Sequence, residues 1–321
     1  MLKHKTTPLQ PIEHPLFNEH KIRVLVKREE LNHEQIQGNK LYKLELNLKQ
    51  FRNSDKKFLL TFGGAYSNHI AATATAAYQF RIPTIGVIRG DELADNQAKW
   101  SHTLIEAQRN GMHLLFIRRT DYRLKTGANF LTLLQQNYAK QLADFVDPQL
   151  DPQNAYILPE GGSNQLAVQG FHSLAEELDQ QCPQWTHLYC AVGTGATLAG
   201  LSAYSRYDPR RILNGVAAIN DSDYLMPQIA QWITAANPQH NNRWQLRQNF
   251  HAGGYAKSDP ELDQFIHEIW PQFRIPIEPV YTAKAFHCFW KDLINHEIRK
   301  DSTVILLHTG GLQGVGYKDS R

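Results

Sequence analysis

Residues 58–77 read FLLTFGGAYSNHIAATATAA, and the order of residue types in that stretch decides the architecture. The apolar run Phe58 to Phe62 has the look of a buried strand, and Gly63-Gly64 stops it. From Ser67 to about Gln79 nearly every residue is small and apolar, which suits a helix buried on most sides against a sheet. Strand, glycine turn and helix together make half of a crossover unit. Working outward, strand-like runs such as VLVKRE, PTIGVIRG, HLLFIRR, AYILPE, HLYCAV, ILNGVAAIN and TVILLHTG alternate with helical segments such as NQAKWSHTLIEAQRNG, RLKTGANFLTLLQQNYAKQL and YLMPQIAQWITAAN. That alternation predicts an α/β protein with mostly parallel sheets and helices on both faces.

Ser67 and Asn68 fall where a helix N-cap belongs, so Ser67 is expected to cap the helix. The unpaired amides of such a terminus also attract an anion, for example a carboxylate. Upstream, GNKLYKLE (38–45) delivers Lys40 through a Gly-Asn turn to the start of an amphipathic segment, with Leu41, Leu44 and Leu48 on one face. A lysine beside buried surface can lose its proton and become a nucleophile. Downstream, LYCAVGTGATLAGL (188–201) runs from strand through glycine-rich turn to helix, so the backbone of Gly193, Thr194, Gly195, Ala196 and Thr197 can cradle a phosphate. The loop lacks the Gly-Lys-Ser/Thr of a P-loop, and its glycines miss the spacing of a dinucleotide fold. Glycine at 195 is expected to allow close approach of the backbone to a ligand.

These segments, with IEPVYTAKAFHCFW (277–290) and TVILLHTGGLQG (303–314), stand in an order and spacing that resemble fold-type-II pyridoxal 5′-phosphate enzymes of the tryptophan-synthase-β-like group. Within it, the chain is most similar to the D-cysteine desulfhydrase and 1-aminocyclopropane-1-carboxylate (ACC) deaminase family. The resemblance covers nearly the whole chain. It implies that Lys40 forms an imine with the cofactor, that Ser67 faces the reacting carbon, that Asn68 bonds the cofactor's phenolic oxygen and that His69 completes the Ser-Asn-His signature. It assigns the glycine loop to the phosphate, Tyr281 and Tyr255 to catalysis, Thr282 to the pyridine nitrogen, and Ser163, Asn164 and Thr309 to the neighbourhood of the substrate. Deaminases of the family carry glutamate at the Thr282 position and leucine at the Thr309 position, where desulfhydrases carry threonine. A hydroxyl leaves the ring a weaker electron sink than a carboxylate does, which is adequate for β-elimination and less suited to opening a cyclopropane. Tyr42 and Tyr66 replace the family's Arg and Gln, which points to altered substrate contacts.

The implied fold is two three-layer α/β/α domains with mostly parallel sheets and the cofactor in the cleft between them. Residues 54–158 would form a small domain nested within a large one made of 1–53 and 159–321, with DFVDPQLDPQN (144–154) as the connector near the return. The implied activity is removal of the β-substituent of a D-amino acid such as D-cysteine, giving pyruvate, ammonia and sulfide. ACC deamination and a catalytically silent binding protein with the same fold are the alternatives, and a nucleotide-dependent oxidoreductase is disfavoured by the misspaced glycines. A small amino-acid substrate and a homodimer follow from the same resemblance.

Composition agrees. At 321 residues, 42% hydrophobic and 20% charged, the chain can bury one or two cores. The formal charge of +3 is spread over short, separate clusters such as Arg118-Arg119 and Arg210-Arg211, so no nucleic-acid groove is expected. The pairs His267-Glu268 and His296-Glu297 lack the second histidine of a zincin, and no metal is expected. Cys182, Cys190 and Cys288 are too widely spaced for a metal or redox motif. No segment is long and apolar enough to span a bilayer and the first residues lack a hydrophobic signal region, so a cytoplasmic location is expected.

Overall fold

Leu59, Leu60, Thr61 and Phe62 are buried along with Phe58 and Gly63, so the strand they form has no solvent face and needs cover on both sides. The computed structural model describes residues 2, 4–145, 151–220 and 222–312. Its strands are β1 (Leu9–Ile12), β2 (Arg23–Lys27), β3 (Phe58–Gly63), β4 (Thr84–Arg89), β5 (His113–Ile117), β6 (Ala155–Leu158), β7 (His187–Val192), β8 (Ile212–Ala217), β9 (Arg243–Arg247) and β10 (Thr303–Leu307). They form two sheets, one ordered β5-β4-β3-β6 and one ordered β1-β2-β10-β7-β8-β9. All neighbours are parallel except β1 and β2. The α/β architecture with mostly parallel sheets is therefore observed.

Two strands escaped the sequence pattern, and both lie at sheet edges. β1, LQPI, is short and contains Pro11, which an edge tolerates because one row of its amides needs no ladder partner. β9, RWQLR, carries arginine at both ends and buries only Leu246. Half-solvated edges do not produce the continuous apolar run that marks the central strands. The connector expected at 144–154 lies partly outside the described residues.

Four helices position the site. Helix α1 (Asn39–Arg52) begins at Gly38, whose φ of +69° favours glycine. A Cβ there would come within 2.0 Å of the Thr309 carbonyl oxygen, so glycine is also required by the crossing of two backbones. Helix α2 (Asn68–Gln79) follows β3, and every residue from His69 to Ala77 is buried, which explains its alanines: larger side chains would hold the helix off the sheet. Helix α3 (Ala196–Tyr204) follows β7 and is buried from Ala196 to Ala203. Helix α4 (Thr282–Ile294) precedes β10. The carboxyl ends of β3, β4, β7 and β10 thus deliver their loops to one place, where open parallel sheets bind ligands.

Candidate active site

That place is a cavity of about 290 Å³ whose wall includes Lys40, Lys43, Ser67, Asn68, Tyr255 and Tyr281. Lys40 stands in the first turn of α1. Its Nζ donates to Asn39 Oδ1 at 2.8 Å, and Asn39 Nδ2 in turn donates to Thr197 Oγ1 at 3.1 Å, tying the lysine to the glycine loop. Burial lowers the Lys40 amine to about 8, partly opposed by the carboxylate of Glu278. A substantial neutral fraction near neutrality is what a carbonyl-capturing lysine needs.

Ser67 is the N-cap of α2, its Oγ accepting from the Ile70 amide at 3.3 Å. Asn68 lines the cavity with its Oδ1 buried and without a partner among the described residues. His69 lines it too, but both ring nitrogens are engaged. The Thr61 hydroxyl donates to the Leu158 carbonyl at 2.9 Å, so the 2.7 Å contact with His69 Nε2 assigns the ring proton to Nε2, and Thr73 Oγ1 lies 3.4 Å from Nδ1. Burial and the two neighbouring lysines push its pKa well down, so the imidazole is neutral. It braces the loop as a satisfied core histidine.

At the inner end, Gly193, Thr194, Gly195 and Thr197 line the cavity, whereas Ala196 begins α3 fully buried behind them. Gly195 has φ of +91°, and a Cβ there would lie 2.7 Å from Ile229 Cγ1, so the residue is fixed by the turn and by packing on its far side as well as by any ligand. Ser163, expected near the substrate, stands against the glycine loop, its Oγ 2.5 Å from Thr194 Oγ1, and Asn164 caps a helix by accepting from the Ala167 amide. Lys43, one turn of α1 beyond Lys40, lines the same cavity. Its Nζ donates to Gly161 O, Ser163 Oγ and Thr194 Oγ1 at 3.1, 3.0 and 3.3 Å, with no carboxylate beside it among the described residues. Burial and Lys40 depress its pKa strongly. An anion bound beside it would favour its charged form.

Tyr255 and Tyr281 form an edge-to-face pair with ring centroids 5.9 Å apart. Burial raises both phenols, and the hydroxyl of Tyr281 partly offsets the rise at Tyr255. Tyr255 is 37% exposed and lines the cavity. The loop carrying Tyr255 is held by Lys284, whose Nζ donates to the carbonyls of Ala218, His251 and Gly254 at 3.2, 2.8 and 2.8 Å. Thr309 and Gly310 reach the wall, and Thr282 does not: it is fully buried, its hydroxyl 3.5 Å from the Gly310 carbonyl.

Glu278 is the acidic group that the motifs did not single out. Its carboxylate accepts from the amides of Val280, Tyr281 and Thr282, yet burial raises it to about 7. An acid shortly before a helix start, at Glu278-Pro279, was the available signal. Tyr42 is a departure without consequence for the cavity. Its hydroxyl donates to Glu29 Oε2 at 2.7 Å in a buried cluster behind α1, and its ring meets Phe171. Tyr66 is 61% exposed. Neither lines the wall of the cavity.

The chain matches the model of the pyridoxal-phosphate dependent enzyme family over residues 1–310, and it belongs to that family. More particularly, it is 26% identical over 306 residues to the bifunctional D-cysteine desulfhydrase/1-aminocyclopropane-1-carboxylate deaminase, mitochondrial, of Arabidopsis thaliana, covering 90% of this chain and 72% of that one. It is also 26% identical over 317 residues to a D-cysteine desulfhydrase of Klebsiella pneumoniae, covering 95% and 91%. The fold is shared with the crystal structure of an ACC deaminase homologue, at a TM-score of 0.76 and 24% identity over 98% of this chain and 92% of that one. The protein is thus a pyridoxal-phosphate dependent enzyme, and the cavity fits such a group: a lysine of lowered pKa, a buried Asn68 oxygen without a partner among the described residues, and a second buried lysine that has no carboxylate beside it among those residues and contacts the glycine loop. No helix among the described residues is long and apolar enough to cross a membrane.

Proposed function

We propose that the enzyme eliminates the β-substituent of a D-amino acid such as D-cysteine, releasing pyruvate, ammonia and sulfide. The observation that carries this reading is the chemistry at the start of α4. No carboxylate is free there: Thr282 stands buried just behind the wall with its hydroxyl near the Gly310 carbonyl, and the nearby Glu278 carboxylate is consumed by three backbone amides. Bound in the cavity, pyridoxal phosphate supplies a carbonyl for the amine and a conjugated ring that withdraws electrons from the substrate's α-carbon. Lys40 holds the cofactor and, once freed by substrate, takes the α-proton. Ser67 and the first-turn amides of α2 hold the substrate carboxylate. Asn68 answers the phenolic oxygen, and Lys43 with the Gly193–Thr197 loop answers the phosphate. Tyr255 and Tyr281 cover the reacting face and limit water.

The names of the Arabidopsis and Klebsiella relatives support this substrate class. The division into a large domain of 1–53 and 159–321 and a nested small domain of 54–158 belongs to the same proposal, supported by the two separate sheets. A homodimer and a cytoplasmic location complete it. A side-by-side assay of D-cysteine, L-cysteine and ACC tests the choice: sulfide from D-cysteine should form faster than 2-oxobutyrate from ACC. Dominant ACC deamination would overturn it.

A further inference from the structure

Arg89 ends β4 and lines the same cavity as Lys40, Ser67 and Tyr255, yet none of the steps above uses it. Its Nη2 lies 3.4 Å from the position of a Cβ on Gly64, the glycine that opens the loop to Ser67, and its guanidinium faces the Tyr122 ring at 5.9 Å. The neighbouring cations are all partnered. Arg118 pairs with Asp121 at 2.8 Å, Arg119 with Glu92, and Lys125 with Glu160 at 3.2 Å. Glu160, the acidic residue on the same wall, also accepts from the Tyr122 hydroxyl at 2.8 Å. Arg89 alone of this group has no carboxylate partner among the described residues. A guanidinium presents a rigid fork of donors matched to a carboxylate, and this one points into a substrate cavity.

The substrate's α-carboxylate is already answered by Ser67 and the amides of α2, which follow β3. Arg89 comes from the neighbouring strand β4, a different element from the helix terminus that answers the α-carboxylate, which leaves its guanidinium for a second anion in the same cavity. We propose that Arg89 is a specificity-determining residue that binds a carboxylate at the far end of the substrate's β-substituent. The assignment rests on the β-elimination reading. For S-carboxymethylcysteine the balance is redox-neutral. The α-proton leaves to Lys40, the Cβ–S bond breaks with its electron pair on sulfur, mercaptoacetate departs, and the released 2-aminoacrylate is hydrolysed by water to pyruvate and ammonia.

The test compares holoenzyme with Arg89→Met and Arg89→Lys on three substrates of whichever enantiomer the wild type accepts: S-carboxymethylcysteine, its neutral analogue S-carbamoylmethylcysteine, and β-chloroalanine. Wild type should prefer the acid to the amide. Arg89→Met should lose roughly 10- to 100-fold in kcat/KM on the acid, mainly through KM, and stay within about twofold on the other two, with partial recovery in Arg89→Lys. An equal loss on all three would place Arg89 on the α-carboxylate or in the architecture of the wall, and no loss on the acid would remove its role; either overturns the assignment. Failure of the elimination reading is separately visible, because wild type would then release no pyruvate from β-chloroalanine, and the assignment would fall with it.

Discussion

At the inner end of the cavity Lys43 spends its amine on three oxygens and Ser163 closes on Thr194, whereas at the mouth Tyr224 is 57% exposed and Arg89 has no anionic partner among the described residues. The inner end is built by backbone. Gly38 crosses Thr309, Gly195 turns into α3, and Asn39 ties Lys40 to Thr197. The mouth is built by side chains from separate segments. One end holds a constant group in a fixed pose, and the other can be re-lined without disturbing the fold.

The largest effect that would break this comparison is at Lys40. Lys40→Ala should cost on the order of 10³-fold or more in turnover and abolish the visible absorbance of the lysine-bound cofactor, while the circular dichroism spectrum stays that of wild type. If the lysine-linked chromophore survived, Lys43, which stands in the same cavity, would be the attachment site, and the two lysines would exchange roles.

A second variant separates holding the cofactor from doing chemistry. Lys43→Met removes an amine that a bound anion would protonate and pair with, so cofactor affinity should fall by roughly 10- to 100-fold. The apo protein should be no less stable, and its melting temperature should hold or rise, because a lysine whose pKa is depressed on folding costs folding free energy below its ordinary pKa. Equilibrium dialysis of pyridoxal phosphate and apo melting curves give the two readings. A drop in apo stability with unchanged affinity would make Lys43 a structural brace and the inner end a passive one.

The comparison also explains which parts were legible in the sequence. Central strands such as β3 and the alanine helix α2 announce themselves because burial on both faces imposes a continuous composition, and the turn glycines mark where backbones cross. The edge strands β1 and β9 do not, since half their surface is solvated. Lys40, Ser67 and Asn68 were found because local motifs carry them. Lys43, Glu278 and Arg89 were missed because their importance is a matter of what surrounds them: a lysine without a carboxylate, a carboxyl held by amides yet deeply buried, and an arginine whose neighbours are all paired. The contact of Ser163 with Thr194 was not legible for the same reason, since its sequence neighbours say nothing of it.

The smallest effect concerns pH and the coupling across the site. Cofactor capture needs the neutral form of Lys40, so the capture rate of apo protein should rise about tenfold per pH unit below 8 and level off above it, where free lysine would keep rising toward 10.5. The stability signs run oppositely for the two buried groups. Lys40 has a folded pKa lowered from 10.5, so its contribution is present above 10.5 and is lost as pH falls through 8. Glu278 has a folded pKa raised from 4.5, so its contribution is present below 4.5 and is lost as pH rises through 7. Between about 7 and 8 both are charged and attract each other, which is why the Glu278 carboxylate holds the amine up against the effect of burial. Glu278→Gln keeps an oxygen for the amides of Val280, Tyr281 and Thr282 but removes that charge, so the capture midpoint should move below 8 by a fraction of a unit to about one unit. Stopped-flow capture of pyridoxal phosphate across pH 6 to 10 reads both midpoints. A wild-type midpoint near 10.5 would mean that Lys40 is solvated and that the inner end is as open as the mouth, and an unmoved midpoint in Glu278→Gln would disconnect the carboxylate from the amine.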